Sequence, residues 1–405
     1  MTSSDGSDGA QVHTASDGGA PRVGAHQGPA RITVDLGAIS DNVAAIRERV
    51  GATPVLAVVK ADAYGHGLVP SARAALAGGA TWLGTAQVAE SLALRAAGIS
   101  SQEARVLSWL YAPGAPFAEA IAADVDLGVA APWALAEISS AARRLGRPAR
   151  IHLKIDTGLA RNGAFGAGVD ELIEAAARAQ DAGHVRVVGV MSHFARADEP
   201  GDPSIRAQQD RFEEVCDLAD RAGLGVEVRH LANSAATLLD PSARYDLVRP
   251  GLAIYGLSPV PQVGAPSDFG LRPAMRVAVD VSLVKEVPLG QGVSYGHTYT
   301  TAGATRVALL PIGYADGVPR AASSLGPILL AGTRLTISGR VCMDQIVLDI
   351  GDLPVSPGDE AVLFGDALRG EPTAQEWAAA SGTIDYEIVT RMSGRLPRTY
   401  VGGRE

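Results

Sequence analysis

Lys60 is the residue whose type and position most directly suggest chemistry. Of the 35 lysines and arginines in the chain, only Lys60, Lys154 and Lys285 are lysines. Lys60 follows the apolar run VLAVV at 55–59. An arginine stays protonated in a protein, whereas a desolvated lysine can lose its proton and act as a nucleophile. The rarity of lysine and its position at the end of a strand pattern therefore favour Schiff-base chemistry over a surface role.

Two later segments, HLANS (230–234) and RPGL (249–252), have the residues of an anion site. They belong to the seventh and eighth strand patterns, and a (β/α)₈ barrel commonly binds phosphate after those strands. Asn233 and Ser234 stand where a helix is predicted to begin, and Gly251 permits a close backbone approach. A Schiff-base lysine opposite a phosphate site suggests pyridoxal phosphate (PLP). An aldolase-type barrel has both features and stays an alternative.

The elements that must position these residues form a regular series. Short apolar runs alternate with alanine-rich helical patterns, which indicates parallel strands covered on both faces. Eight such units are the size of a TIM-type (β/α)₈ barrel, an α/β fold, and an open doubly wound sheet is the competing topology. The eight runs are VLAVVK (55–60), WLGTA (82–86), RVLSWL (105–110), VDLGV (125–129), RIHLKID (150–156), VRVVGVMSHF (185–194), VEVRHLANS (226–234) and YDLVRPGLAIYG (245–256).

The composition divides the chain into three parts. Residues 1–28 are rich in Ser, Asp and Gly with almost no apolar bulk, which predicts a disordered tail. We expect residues 29–265 to form the barrel, although the early strand RITVDL (31–36) precedes the eight units and is a candidate to pack with the C-terminal domain. Residues 266–405 begin in a Pro/Gly-rich stretch and continue mostly as strand patterns, which predicts a second, β-rich domain.

The overall composition excludes several classes of function. The net charge of −9 argues against a nucleic-acid surface. No apolar run reaches the roughly 20 residues of a membrane helix. Two cysteines in 405 residues fit a reducing cytosol and exclude a disulfide framework or a cysteine-ligated metal cluster. We expect a cytoplasmic enzyme that acts on a small molecule and binds no metal, nucleic acid or membrane.

Nine ordered segments resemble those of a known family. They are AVVKADAYGHG, KIDTGLARNG, MSHFARAD, HLANS, VRPGLAIYG, VSYGHTY, PIGYADG, GRVCMDQ and IDYE. Together they resemble alanine racemase, a PLP-dependent enzyme of fold type III with a barrel and a C-terminal β domain. The resemblance covers roughly residues 30–400. It implies interconversion of L-alanine and D-alanine, with D-alanine supplied to cell-wall peptidoglycan.

The resemblance also implies roles around the cofactor. Lys60 would hold PLP as a Schiff base, and Arg249 would face the pyridine nitrogen. Most PLP enzymes place a carboxylate there, whereas an arginine keeps the nitrogen unprotonated and limits transamination. His193 would stack on the cofactor face, and Arg161 would bond the phenolic oxygen and help to hold the substrate carboxylate. The other predicted cofactor contacts, mostly at the phosphate, are Tyr64, Asn233, Ser234, Gly251, Leu252 and Tyr386.

Two further residues are expected to support Arg249 and Arg161. His230 would hydrogen-bond in the region of Arg249. Lys154 lies within a buried strand pattern, where a bare ammonium is costly. In relatives the equivalent lysine can be carbamylated, which gives an anion that fixes the nearby arginine.

Racemisation requires a proton to leave one face of a carbon and arrive on the other, so two bases are expected. The resemblance implies Lys60 for the D-substrate face and Tyr295, in VSYG, for the L-substrate face. Tyr295 would come from a second subunit, as would the backbone N–H of Met343 that meets the substrate carboxylate. The active enzyme is therefore expected to be a homodimer with shared sites. Residues expected around the entrance are Tyr314, Arg320, Arg340, Cys342 and Asp344.

Other readings of the sequence remain open. A PLP barrel that decarboxylates amino acids would share both domains, but the segments VSYG and CMDQ favour a racemase. A non-catalytic PLP carrier would lack the β domain at 266–405. Serine or larger amino acids are alternative substrates, because the sequence does not define the size of the pocket.

Overall fold

A computed structural model describes residues 28–392 and 394–403. The predicted disordered tail at 1–28 lies outside these residues except for Gly28. The described chain begins with strand β1 (Ala30–Asp35) and helix α1 (Leu36–Val50). Asp35 joins the two elements, because its Oδ1 accepts a hydrogen bond from Ala38 N at 2.9 Å and so caps the helix.

Seven parallel strands form one sheet in chain order, and they coincide with the first seven apolar runs. Their side chains are buried on both faces, which explains why the runs are continuously apolar rather than alternating. The strands are β2 (Leu56–Val58), β3 (Trp82–Gln87), β4 (Arg105–Leu110), β5 (Val125–Val129), β6 (Ala149–Lys154), β7 (Val185–Met191) and β8 (Val228–His230).

The prediction of an eighth strand at 245–256 is wrong. The segment nevertheless lies between β8 and β2 and closes the ring, because Arg249 N donates to Ala232 O at 3.0 Å and Leu56 N donates to Val248 O at 2.8 Å. Pro250 has no N–H to continue a ladder, and residues Leu252–Tyr255 turn into a 3₁₀ helix. A regular strand is thus replaced by a short irregular segment at the position where a phosphate site was expected.

Helices cover the outside of the ring and carry their apolar residues on one face. In α6, for example, Pro132 stands at the first position, Leu135 and Ile138 are buried, and Gly146 ends the helix with φ of 63°. The helices of the barrel part that follow α1 are α2 (Lys60–Tyr64), α3 (Leu68–Ala77), α4 (Val88–Ala96), α5 (Phe117–Ala122), α6 (Pro132–Leu145), α7 (Ala167–Asp181), α8 (Pro203–Arg221) and α9 (Ser234–Leu239). The C-terminal part adds α10 (Ala374–Ser381) and α11 (Asp385–Arg391).

The C-terminal part is rich in strands, so the predicted α/β barrel with a β-rich domain is confirmed. Its largest sheet has the order β15-β14-β17-β9-β1-β18, and a second sheet has the order β10-β13-β16. The strands are β9 (Met275–Asp280), β10 (Leu283–Val287), β11 (Gly292–Val293), β12 (Tyr299–Thr300), β13 (Thr305–Leu310), β14 (Pro327–Leu330), β15 (Thr333–Thr336), β16 (Ile346–Asp349), β17 (Glu360–Phe364) and β18 (Arg398–Val401).

Strand β1 belongs to the C-terminal sheet rather than to the barrel. It pairs antiparallel with β9 and parallel with β18. The chain therefore crosses from one domain to the other within its first described residues, and its last strand returns to lie beside its first. Among the described helices, none combines the length and the apolar character that crossing a membrane requires.

Candidate active site

The residues predicted to do chemistry gather at the carboxyl ends of the barrel strands. Lys60 lies two residues beyond β2, Lys154 is the last residue of β6, and His230 is the last residue of β8. His193 lies two residues beyond β7, and Arg249 lies in the segment that closes the ring. Catalytic residues of such barrels come from this end of several strands. The fold thus brings together residues that are as far apart as 189 positions in the sequence.

Lys60 opens a turn of unusual handedness. The four residues after it, Ala61, Asp62, Ala63 and Tyr64, all have φ between 53° and 55°, although none is glycine. Left-handed backbone costs a non-glycine residue roughly 1–2 kcal/mol. Such strain persists only where surrounding contacts impose it, and it concentrates at functional sites. The turn α2 is therefore a feature that the rest of the molecule must hold in place.

Polar groups meet where the phosphate site was expected. Ser234 Oγ accepts a hydrogen bond from Gly251 N at 2.8 Å, and Asn233 caps α9 by accepting from Ala236 N at 3.1 Å. A Cβ on Gly251 would lie 2.4 Å from the Tyr64 hydroxyl oxygen, so glycine leaves room for that hydroxyl. The backbone N–H, the serine hydroxyl and the tyrosine hydroxyl form a small polar cradle in an otherwise buried region.

Aromatic rings support the cradle from one side. The Tyr64 ring lies 5.0 Å from the Tyr255 ring and 6.1 Å from the Tyr386 ring, measured between centroids. Burial raises the pKa of Tyr64 and of Tyr386, so both hydroxyls stay protonated and can donate a hydrogen bond. Leu252 is fully buried directly after Gly251. The predicted contacts of the phosphate thus lie together, including Tyr386 from helix α11.

Arg249 is buried and makes no ion pair with any described carboxylate. Its Nη2 donates to Ser192 O at 2.6 Å and to Leu231 O at 3.1 Å, and its Nη1 lies 3.3 Å from His230 Nδ1. Burial lowers the pKa of Arg249 to about 9, which still leaves the guanidinium charged near neutral pH. Uncharged acceptors therefore hold this cation in one orientation.

A chain of hydrogen bonds behind Arg249 fixes the tautomer of each histidine. Because Arg249 can only donate, His230 Nδ1 accepts, and His230 Nε2 must carry the proton that it donates to His152 Nδ1 at 2.9 Å. His152 Nε2 then donates to Asp126 Oδ2 at 3.3 Å, and Arg150 Nε donates to Asp126 Oδ1 at 2.9 Å. Burial and then Arg249 lower the pKa of His230 well below its ordinary value, so it stays neutral.

His193 lies beside the same arginine, with its Nδ1 3.5 Å from Arg249 Nη2. Burial lowers the pKa of His193 well below its ordinary value, and the charges of Arg249 and Lys154 act in the same direction. The ring is therefore neutral and can present a flat face to a bound aromatic molecule.

The mouth of the barrel carries positive charge that no described carboxylate neutralises at ion-pair distance, although Glu90 acts on Lys60 and Asp156 acts on Lys154 from farther away. No described carboxylate lies within 4.0 Å of the charged nitrogens of Lys60, Lys154, Arg161 or Arg249. Burial, followed by the charge of Arg161, lowers the pKa of Lys60, and Glu90 partly offsets this. Burial, Arg249 and Arg161 lower the pKa of Lys154 to about 7. We call these four residues the cation cluster, and it is suited to an anionic ligand.

The predicted entrance residues lie on the C-terminal domain. Tyr295, Tyr314 and Met343 are 70%, 38% and 53% exposed and form what we call the C-terminal patch. Tyr314 N donates to Cys342 O at 3.0 Å, and Ser294 Oγ, next to Tyr295, donates to Arg340 O at 2.7 Å. Among the described residues of a single chain, no hydrogen bond or ring contact joins this patch to Lys60. Two other predicted residues lie at the surface, Arg320 and Asp344.

Comparison with known proteins decides the family. A family model described as the alanine racemase N-terminal domain matches residues 34–259, and the model of the C-terminal domain matches residues 274–400. The chain belongs to the alanine racemase family. An alanine racemase of Streptomyces coelicolor is 56% identical over 375 residues, which cover 92% of this chain and 96% of that protein. One of Frankia casuarinae is 57% identical over 368 residues, which cover 91% of this chain and 95% of that protein.

A solved structure extends the similarity to three dimensions. The crystal structure of alanine racemase from a D-cycloserine-producing Streptomyces lavendulae superposes with a TM-score of 0.91 at 54% identity, covering 93% of this chain and 98% of that chain. With both domain models and close relatives in agreement, the chain is an amino-acid racemase, an isomerase.

The sequence analysis did not single out Asp156, although this residue shapes part of the site. Asp156 Oδ1 accepts hydrogen bonds from Gly158, Leu159 and Ala160, and its Oδ2 accepts from Arg161 N at 2.8 Å, so it shapes the turn that carries Arg161. Burial acts to raise the pKa of Asp156, but these backbone N–H groups outweigh it and lower the pKa. The sequence signal that could have identified Asp156 is an Asp directly after an apolar strand pattern, because such an Asp commonly begins an Asx turn.

The depressed pKa of Lys154 predicts a pH-dependent stability. Between about pH 7 and 10.5 the unfolded chain binds a proton that folded Lys154 lacks. The free energy of unfolding should therefore rise with pH across this window, by at most about 1.4 kcal/mol per pH unit from this group. Urea unfolding in carbon dioxide-free buffer measures this slope.

Lys154→Met should flatten the slope, and Lys285→Met, which changes an exposed lysine of β10, should leave it unchanged. An undiminished slope in Lys154→Met would show that Lys154 is not the source.

Proposed function

We propose that this chain interconverts L-alanine and D-alanine with PLP as cofactor and so supplies D-alanine for peptidoglycan. The observation that carries the proposal is the cation cluster around a lysine with a lowered pKa, opposite a polar cradle. The two relatives described above are alanine racemases, which supports alanine as the substrate. A small-molecule site of this kind needs a lysine that can be neutral, and Lys60 fits that need.

The residues present fit PLP in three respects. Lys60 supplies an amine for a covalent bond to an aldehyde. The hydroxyls of Ser234 and Tyr64 supply donors for a phosphate, because Ser234 Oγ already accepts from Gly251 N and keeps its own proton to donate. A Cβ at position 251 would obstruct the Tyr64 hydroxyl. Arg161 and Arg249 supply positive charge without carboxylate partners. When bound, PLP provides an electron sink that makes the Cα proton of an attached amino acid acidic.

In our proposal Arg249 controls how strong that sink is. It is a buried cation held by two carbonyl oxygens and by His230, whose tautomer is fixed by His152. A fixed cation disfavours protonation of a basic ring nitrogen beside it. A weaker electron sink favours return of the proton to the same carbon. Racemisation requires this outcome, whereas transamination requires the proton to be added at a different carbon.

Two groups then transfer the proton on opposite faces. The lowered pKa of Lys60 favours its neutral amine, and only a neutral amine can accept a proton. In our proposal Lys60 serves the D-substrate face and Tyr295 serves the L-substrate face. Met343 supplies a backbone N–H for the substrate carboxylate, together with Arg161.

Tyr295 can take this role only if a second copy of the chain contributes it. Within one chain the C-terminal patch is exposed and makes no hydrogen bond or ring contact with Lys60 among the described residues. Three large, largely apolar side chains left at a surface indicate a contact face. We propose a homodimer in which the patch of each copy covers the barrel mouth of the other, so that two equivalent sites close around a two-fold axis.

Absorbance and racemisation assays test the proposed cofactor and reaction. Protein freed of unbound PLP should show the absorbance band of a Schiff base, which Lys60→Ala abolishes because the amine carries the covalent link. Lys60→Ala should also lower racemisation of L-alanine by on the order of 10³-fold, followed by a chiral assay. The matched control Lys285→Ala should keep both signals. A Schiff-base band that survives in Lys60→Ala, or an L-serine rate that exceeds the L-alanine rate, would contradict the proposal as stated.

A mixing experiment tests the shared site. Lys60→Ala and Tyr295→Phe should each be nearly inactive as homodimers. A mixed dimer has one site with both changes and one site with neither, so random mixing should restore about a quarter of the wild-type activity. The two variants are unfolded together and refolded, and each is refolded alone as a control. If Lys60 and Tyr295 served the same chain, mixing would restore no activity.

A further inference from the structure

The last strand of the chain reaches the lysine turn directly. Arg398, the first residue of β18, donates from Nε to Gly65 O at 2.9 Å, across 333 positions of sequence. Its Nη2 lies 3.1 Å from Asp62 Oδ2, an ion pair without hydrogen-bond geometry. The Arg398 side chain is 19% exposed and the Asp62 side chain 48%, so the pair is shielded from water mainly on the arginine side. One guanidinium therefore contacts both the middle and the end of the turn α2.

Tyr400 of the same strand packs against the far end of the turn. A Cβ on Gly67 would lie 2.1 Å from the Tyr400 hydroxyl oxygen, and Gly67 has φ of 96°. Strand β18 thus contacts the lysine segment through Arg398 and Tyr400, while its backbone is paired with β1 in the C-terminal sheet.

The handedness of the turn has to come from contacts of this kind. Its local bonds, such as Gly65 N to Ala61 O at 3.1 Å, would form equally in a right-handed turn, which non-glycine residues prefer. The barrel supplies two anchors: Glu90 Oε1 accepts from Ala61 N at 2.6 Å, and Asp62 Oδ1 accepts from Leu68 N at 2.8 Å. Arg398 is the anchor that comes from the C-terminal strand.

We propose that Arg398 is a positioning residue for the reaction, because it holds the left-handed turn that places Lys60 and Tyr64 at the mouth of the barrel. Strand β18 is then part of the active-site machinery although it touches no substrate. Loss of Arg398 lets the turn relax, and the amine and the tyrosine hydroxyl lose their common geometry. Of the two measurements that test this role, PLP affinity rests on the proposed function, whereas hydrogen–deuterium exchange of the turn's backbone amides does not.

The variants separate this role from general stabilisation. Arg398→Ala removes both contacts, Arg398→Lys keeps the charge, and Asp62→Asn removes the ion pair while its amide oxygen can still accept from Leu68 N. The matched control is Arg31→Ala, because Arg31 in the neighbouring strand β1 pairs with Asp280 at 2.8 Å in the same sheet and is 26% exposed.

Hydrogen–deuterium exchange of the full chain without PLP is the first readout. Arg398→Ala should raise exchange at the amides of residues 61–68 about tenfold, the size expected for a lost charge-assisted hydrogen bond, and Arg398→Lys should restore part of the protection. Arg31→Ala should leave these amides unchanged. Unchanged exchange in Arg398→Ala, or an equal rise in Arg31→Ala, would overturn the proposal.

PLP affinity, followed by visible absorbance, is the second readout. Arg398→Ala should weaken it about tenfold, and Asp62→Asn should weaken it less. The double variant Asp62→Asn/Arg398→Ala should be no weaker than Arg398→Ala alone, because both changes remove the same pair. Wild-type affinity in Arg398→Ala would overturn the positioning role. Failure of the wild-type chain to bind PLP would instead refute the proposed function, and the exchange result would still decide the role of Arg398 in the turn.

Discussion

The proposed site depends on positive charge that the fold gathers without pairing it with a carboxylate at ion-pair distance. Arg249 and Lys154 are buried at the mouth of the barrel, and Lys60 and Arg161 stand beside them without a described carboxylate in ion-pair distance. Buried charge without a partner is costly, and folding alone would favour removing it. This free-energy cost is consistent with a site that an anionic ligand completes. The same burial and neighbouring positive charge lower the pKa of Lys60 and Lys154 toward the range in which an amine can react.

The two domains contribute different parts of the site. The barrel supplies the lysine, the cradle and the hydrogen-bond chain through His152 that keeps Arg249 in place. The C-terminal domain supplies the exposed patch that in our proposal faces a second copy, and strand β18, whose Arg398 holds the lysine turn. The pairing of β1 between β9 and β18 ties these parts together, because it places the start and the end of the described chain in one sheet beside that turn.

Much of this could be predicted from the sequence, because buried parallel strands and short motifs leave local signals. Seven barrel strands follow from continuous apolar runs, and the cradle follows from Asn233, Ser234 and Gly251. The prediction of an eighth strand at 245–256 was wrong because it followed the apolar pattern and neglected Pro250, which has no N–H to continue a ladder. The left-handed turn gave no signal, since residues 61–64 include no glycine and their conformation is imposed by distant contacts. Asp126 and Arg398 were missed for the same reason: their roles exist only in three dimensions.

Direct titration of the Lys60 amine tests the central claim most simply. The chain has three lysines, so protein labelled with ¹⁵N-lysine gives few side-chain NMR signals, which Lys154→Met and Lys285→Met assign. We predict that Lys60 titrates below the ordinary lysine value of 10.5 in the chain without PLP, and that Arg161→Gln raises this midpoint. A Lys60 midpoint at or above 10.5 that does not respond to Arg161→Gln would contradict the view that burial and the charge of Arg161 prepare this amine for chemistry.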